Sequence, residues 1–253
     1  MISLFLIDID GCLSEPYVPF RLDAFERLRQ WGAQAETDPR APHIGICSGR
    51  SYAYVEATAQ ALGLRAPALF ESGGGRFDLP SARITWSPAL TPEIERALAE
   101  CRQFLTRHVV PSSETLSFDY GKRSQAGIVS PIVGECEQHL PAVRDAVRQL
   151  SAPLAVYHTP YSIDVVPEAL TKVRALEWVA EAEGIPLDAI AFIGDTNGDA
   201  AAISGAGLGF APANGSEEAK KAADVVTAGA VTDGVLEAYR ECVRRNGVHP
   251  FDQ

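Results

Sequence analysis

The opening of the chain constrains its fold most. Ile2 to Ile9 is a nearly continuous apolar run, broken only at Ser3 and Asp8, and Asp10 follows at once. A strand apolar on both faces belongs inside a parallel sheet, where helices cover it from either side. A carboxylate at the end of such a strand is costly to bury unless it is paired, hydrogen-bonded or set against a cation. The pattern therefore predicts a buried strand whose mouth carries Asp8 and Asp10, and something that meets them.

Similar short runs recur at 43–47, 68–70, 189–193 and 208–210. Helical spacing separates most of them: Leu22, Phe25 and Leu28, then Val55, Ala59 and Leu62, then Val173, Leu176, Trp178 and Val179. The last of these helices is expected to end near Gly184 and Pro186. Strands alternating with helices predict an α/β fold, a doubly wound, Rossmann-like parallel sheet. The middle third differs. Thr91-Pro92 reads as an N-cap and first helical residue, opening a helix through Ile94, Leu98, Cys101 and Leu105. The stretch LSFDYGKRSQAGIVS reads as two strands turning at Gly121-Lys122, followed by a helix near 143–150 and the strands LAVYH and SIDVV. An inserted α+β module is thus expected at 86–167, between core segments 1–85 and 168–253. Trp31, Trp86 and Trp178 read as packing residues.

A chain of 253 residues, 46% hydrophobic, has enough apolar surface for a proper core. Its net charge of −11 argues against nucleic acid or an anionic membrane as partner. A small anionic substrate stays open, because one metal ion and a few Lys or Arg make a local positive site. The five cysteines are odd in number and form no CxxC pair, which points to free thiols in a reducing cytoplasm. The N-terminus lacks a basic leader region, and no apolar run approaches the roughly 20 residues that span a bilayer.

Four stretches carry chemistry: DIDGC (8–12), ICSGR (46–50), LTK (170–172) and GDTNGD (194–199). In an open parallel sheet, function gathers at the carboxyl ends of strands. Asp8, Ser48 and Asp195 follow expected strands, and Lys172 joins them from a helix N-terminus. In extended geometry Asp8 and Asp10 point to the same side and could meet one ligand, one as nucleophile and the other as general acid or base. The plain alternative is an acidic loop with a helix cap. Asp195 and Asp199 would repel Asp8 unless a hard cation sits among them, and oxygen ligands favour Mg²⁺. Ser48 either holds a phosphate with Gly49 at a helix N-terminus or is only that helix's N-cap. Arg50 either adds charge there or is solvated. Lys172 sits against helix polarity unless it bridges Asp8 and a phosphate oxygen. GAGLG at 205–209 echoes a dinucleotide fingerprint but follows a helical stretch, so it carries little.

Together these stretches resemble the haloacid dehalogenase superfamily of phosphohydrolases, and most closely its Cof-type branch with a C2 (type IIB) cap. DIDGCL, ICSGR, Lys172 and GDTNGD stand in the family's motif order, and ESGGGRF and FAPANGSEEAKKAADVVT resemble that branch's later segments. Cys12 stands where the family usually has Thr, Gly198 where Asn often precedes the last acid, and Val173 where Gly is common. The resemblance implies that Asp8 is the nucleophile, Asp10 the acid and base, and Lys172 a catalytic cation. It implies Mg²⁺ held by Asp8, Asp10, Asp195 and Asp199, and phosphoryl binding by Ser48, Gly49 and Arg50. It implies a cap at 86–167 that chooses the substrate, with Lys122, Arg123, His158, Tyr161 and Ser162 as candidates. The expected protein is a cytoplasmic, monomeric or homodimeric Mg²⁺-dependent phosphatase for a small phosphorylated metabolite. A phosphomutase of the phosphomannomutase type and a non-catalytic phosphate-binding module are the alternatives.

Overall fold

The computed structural model describes residues 1–247; the end of the expected 168–253 segment, 248–253, lies outside them. In chain order the regular elements are β1 (Leu4–Ile7), α1 (Leu22–Gln34), β2 (His43–Cys47), α2 (Tyr52–Leu62), β3 (Ala68–Phe70), β4 (Gly75–Asp78) and β5 (Arg83–Trp86). Then come α3 (Pro92–Phe104), β6 (Ser117–Phe118), β7 (Ala126–Val129), α4 (Leu140–Arg148), β8 (Leu154–Thr159) and β9 (Ser162–Pro167). The last are α5 (Lys172–Glu183), β10 (Ile190–Ile193), α6 (Ala200–Gly205), β11 (Leu208–Ala211), α7 (Glu217–Ala222), β12 (Val225–Val226) and α8 (Val231–Arg245). The chain forms two compact units: residues 1–85 with the segment from 171 onward, and residues 86–170.

The first unit is built on an eight-stranded sheet in the order β12-β11-β10-β1-β2-β3-β4-β5. From β1 the chain winds outward through β2 and β3, then returns to β10 on β1's other side, so the topology reverses beside β1. Every pairing from β12 to β3 is parallel. Alternation along β1 serves both faces. Leu4 and Leu6 pack with Leu176 and Val179 of α5 and Ile203 of α6. Phe5 meets Phe210 and Tyr239, with ring centroids 6.2 and 5.8 Å away. Tyr239 of α8 stacks on Trp31 of α1 at 5.5 Å, and its hydroxyl donates to the carbonyls of Trp31 and Pro42.

The second unit is a four-stranded antiparallel sheet, β6-β7-β9-β8, with α3 and α4 packed on it through Leu98, Cys101, Val143, Ile128 and Ile163. Thr91 caps α3, its hydroxyl accepting from the Ile94 N–H.

Several local expectations change. Leu22 is 75% exposed, so α1 instead turns Ala24, Phe25, Leu28 and Trp31 inward. The β6–β7 connection spans 119–125 rather than a tight turn, because side-chain ties organise it: Lys122 reaches Asp164 and Asp119, and Arg102 donates to the carbonyls of Arg123 and Gln125. The α3 helix runs on through a wider turn at Leu105–Val109. Strands β4, β5 and β12 are short and largely polar or edge-placed, and the apolar runs do not reveal them. All five cysteines are buried free thiols. Among the described residues, no helix is long and apolar enough to cross a membrane.

Tyr239→Phe is expected to cost about 1–2 kcal/mol in urea unfolding, because it removes the buried hydroxyl whose proton the Trp31 and Pro42 carbonyls share. An unchanged midpoint would show that those carbonyls are satisfied without it.

Candidate active site

The parallel register fixes the site's frame. Ile7 at the end of β1 lies beside Ile46 of β2 and Ile193 of β10, so Asp8, Ser48 and Gly194-Asp195 leave the sheet at one edge. The chain turns sharply after β1: the Cys12 N–H donates to the Ile9 carbonyl, Leu13 to Asp8, and Gly11 to Ser14. Gly11 needs its lack of a side chain here. Its φ is +73°, and a Cβ would lie 2.0 Å from Asp195 Oδ2. The turn is held from outside by Asn214, whose amide donates to the Gly11 carbonyl at 2.8 Å and accepts from the Val231 N–H at 2.7 Å. The Thr232 hydroxyl donates to the Leu13 carbonyl at 3.0 Å.

Lys172 enters from the first turn of α5, where Thr171 is the N-cap. Its ammonium donates to Asp8 Oδ2 at 2.6 Å and to Asp199 Oδ1. The other Asp199 oxygen accepts from the Thr196 N–H and hydroxyl at 2.9 and 2.6 Å, closing a capping box. The Asp8 and Lys172 side chains are only 6% and 12% exposed.

Burial raises the Asp8 carboxyl to about 6 against the pull of Lys172, and burial together with Asp8 and Asp199 raises Asp195 to about 7. For Asp199, burial pushes upward, but Lys172 and the Thr196 bonds outweigh it and hold the carboxyl below the usual range. Burial opposes the charge on Lys172, yet Asp199 and Asp8 hold its ammonium well above its ordinary value. Burial and the nearby acids keep the Cys12 thiol protonated.

Oxygens of Asp8, Asp195 and Asp199 lie within 4.8 Å of one another, and Asp195 Oδ1 is buried with no hydrogen-bond partner. One ammonium does not balance these acids. A buried orphan oxygen in an all-oxygen donor set fits a hard divalent cation such as Mg²⁺.

Asp8, Asp195, Asp199 and Lys172 therefore meet. Asp10 is not among the three clustered acids; both its oxygens accept from Arg50 at 2.6 Å. Ser48 is buried at the same sheet edge and its hydroxyl accepts from the Arg50 N–H at 3.3 Å. The N-cap of α2 is Ser51, not Ser48. Gly49 lies in the loop before it, with open space toward the Ser72 hydroxyl, which a Cβ would meet only at 3.4 Å. Lys122 and Arg123 belong to the second unit. There Lys122 pairs with Asp164 and Asp119, while Arg123 pairs with Glu95 and lies over the Trp86 ring. Sequence reasoning missed Asn214, whose only local signal is a short Pro-Ala-Asn-Gly turn.

A family model described as haloacid dehalogenase-like hydrolase matches residues 133–238. A phosphoglycolate phosphatase from Natronomonas pharaonis is 28% identical over 244 residues, covering 94% of this chain and 96% of that one. A haloacid dehalogenase-like hydrolase from Bacteroides thetaiotaomicron superposes with a TM-score of 0.75 at 22% identity, covering 95% of this chain and 99% of that one. A structure described as a subclass IIB sugar phosphatase superposes with a TM-score of 0.67 at 18% identity, covering 94% and 98%. Over nearly its whole length the chain is thus similar to proteins of this kind, and its residues 133–238 match the family model.

A carboxyl whose folded value is raised binds its proton more tightly when folded. Asp8 and Asp195 thus withdraw stability as the pH rises from their ordinary 3.8 toward about 6 and about 7. Asp199, lowered, adds stability that is lost only toward acid. In chelator, the melting temperature is expected to fall between about pH 5 and about pH 7.5, and Asp195→Asn to flatten that fall. An identical slope in the variant would contradict the raised value at Asp195.

Proposed function

We propose that the chain is a Mg²⁺-dependent phosphatase acting on a small phosphorylated metabolite, a sugar phosphate or related phosphoacid. The observation that carries this is Asp8: a nearly buried carboxylate, gripped by Lys172, beside the unpartnered oxygen of Asp195 at the sheet's carboxyl edge. The phosphoglycolate phosphatase relatives and the phosphatase of like fold support the same chemistry.

In this reading an Asp8 oxygen attacks phosphorus as the bond to the leaving oxygen breaks, and Asp10 gives its proton to that oxygen. Water then attacks the aspartyl-phosphate, its proton passes to Asp10, and the bond between phosphorus and Asp8 breaks to release inorganic phosphate. Asp8, Asp195, Asp10 through its backbone carbonyl, and Asp199 behind Lys172 are the residues that would hold Mg²⁺. When bound, the ion supplies positive charge that offsets repulsion between Asp8 and a phosphate ester. Lys172, Ser48 and Gly49 are assigned to the phosphoryl oxygens. Residues 86–170 are assigned as the C2-type cap, with Lys122 and Arg123 as candidates for choosing the substrate.

A panel of phosphate esters that includes 2-phosphoglycolate and hexose phosphates, assayed for inorganic phosphate with and without Mg²⁺, tests this directly. Asp8→Asn is expected to lower kcat by about a thousandfold or more. Full activity of that variant, or an isomerised ester in place of free phosphate, would sink the proposal. Asp195→Asn is expected to lose the rise in melting temperature that Mg²⁺ gives the parent protein.

A further inference from the structure

We propose that Asn214 is a positioning residue: it sets the spacing between the turn that carries Asp8 and the turn that carries Asp195, and with it the protein's grip on Mg²⁺. The inference rests on the phosphatase reading above. Asn214 lies outside the acid cluster, in the loop 212–216 between β11 and α7. That loop touches both turns. The Asn214 amide donates to the Gly11 carbonyl at 2.8 Å, and two residues on, the Ser216 N–H donates to the Asp195 carbonyl at 2.7 Å. One short loop thus ties the turn after β1 to the turn after β10. The two turns are in close contact at Gly11, where a Cβ would lie 2.0 Å from Asp195 Oδ2, and the brace keeps them from spreading.

The loop is itself anchored. The Ala213 N–H donates to the Gly229 carbonyl at 3.0 Å, and the Gly215 N–H to the Pro212 carbonyl at 2.8 Å. The Asn214 side-chain oxygen accepts from the Val231 N–H at 2.7 Å. Val231 opens α8 behind Ala230, which has no capping side chain, so Asn214 satisfies that helix end from a distance. The φ of Val231 is +50°, a region that β-branched residues rarely occupy. Backbone of this kind persists only where its surroundings hold it, and it collects at functional sites.

Asn214 is exposed, so water can replace its hydrogen bonds and its loss costs the fold little. Spacing is another matter. Mg²⁺ demands near-ideal distances and angles from its oxygen ligands, so acid-bearing turns that drift apart lose affinity while the fold stands. Asn246 makes the contrasting case at the opposite end of β1, away from the acids. Its amide accepts from the Ile2 N–H at 2.8 Å and donates to the carbonyls of Ile2 and Arg40, both at 2.7 Å.

The test takes the Mg²⁺ dissociation constant, without substrate, from the rise of melting temperature with Mg²⁺ concentration. Asn214→Ala is expected to raise that constant at least about tenfold, with the metal-free melting temperature within about 3 °C of the parent's. Asn246→Ala is expected to do the reverse: a lower metal-free melting temperature, and a constant unchanged within about twofold. Asn214→Asp keeps the acceptor for Val231 and loses the donor to Gly11. It is expected to weaken Mg²⁺ binding although its added negative charge would by itself strengthen it, and it serves alone if the alanine variant does not fold. A constant raised less than about threefold in the Asn214 variants, or raised equally in Asn246→Ala, would overturn this inference and leave the phosphatase reading standing. A parent protein whose melting temperature ignores Mg²⁺ would sink the Mg²⁺ dependence of that reading, and this inference with it.

Discussion

The site depends on one ammonium group shared by two carboxylates. Lys172 is nearly enclosed, and neither Asp8 nor Asp199 would remain charged at that depth without it. The contact needs three separate pieces of chain: a strand end, the first turn of a helix that follows the second unit, and a capping box after β10. It also leaves a deficit. Once the lysine is spent on Asp8 and Asp199, Asp195 keeps a buried oxygen with nothing to accept from. The arrangement is stable as an ion pair and incomplete as a charge balance, and that incompleteness gives a cation a reason to bind there.

Much of this was legible before any coordinates, and the residues show why. A strand buried on both faces must be apolar almost throughout, so β1, β2, β3, β10 and β11 announce themselves in composition alone. Polar residues at the ends of such strands are then conspicuous, which is how Asp8, Ser48 and Asp195 stood out, while Lys172 stood out as a cation at the start of a helix, against its polarity. Strands with exposed faces or only two residues lack that signal, so β4, β5 and β12 were invisible. Side-chain direction was the other blind spot. A two-residue spacing predicts a shared direction only while the chain stays extended, and here the chain already turns at Asp8 and Ile9, whose carbonyls accept from Leu13, Cys12 and Ser14. The partner that captures Asp10 lies forty positions away on another loop, and no local pattern points to it.

The two aspartates at the first strand's end illustrate how environment divides like residues. Asp8 is enclosed and faces an ammonium, whereas Asp10 is one-third exposed and faces a planar guanidinium. The first sets Asp8 against a single buried point charge, and the second fixes the plane of the Asp10 carboxylate.

The Asn214 bridge has a consequence for how the protein comes into being. Its amide joins the turn after the first strand to the start of the last helix, and β1 itself lies between β2 and β10. As the chain emerges from the ribosome, the earliest strand must wait beside an empty slot until residues 190–193 arrive to fill it. Asp8 is made early and its turn is fastened late. A polypeptide halted before α8 would carry Asp8, Lys172, Asp195 and Asn214 yet lack the Val231 N–H that anchors the Asn214 amide and the Thr232 hydroxyl that holds Leu13, so the turn is fully set only once α8 has been made.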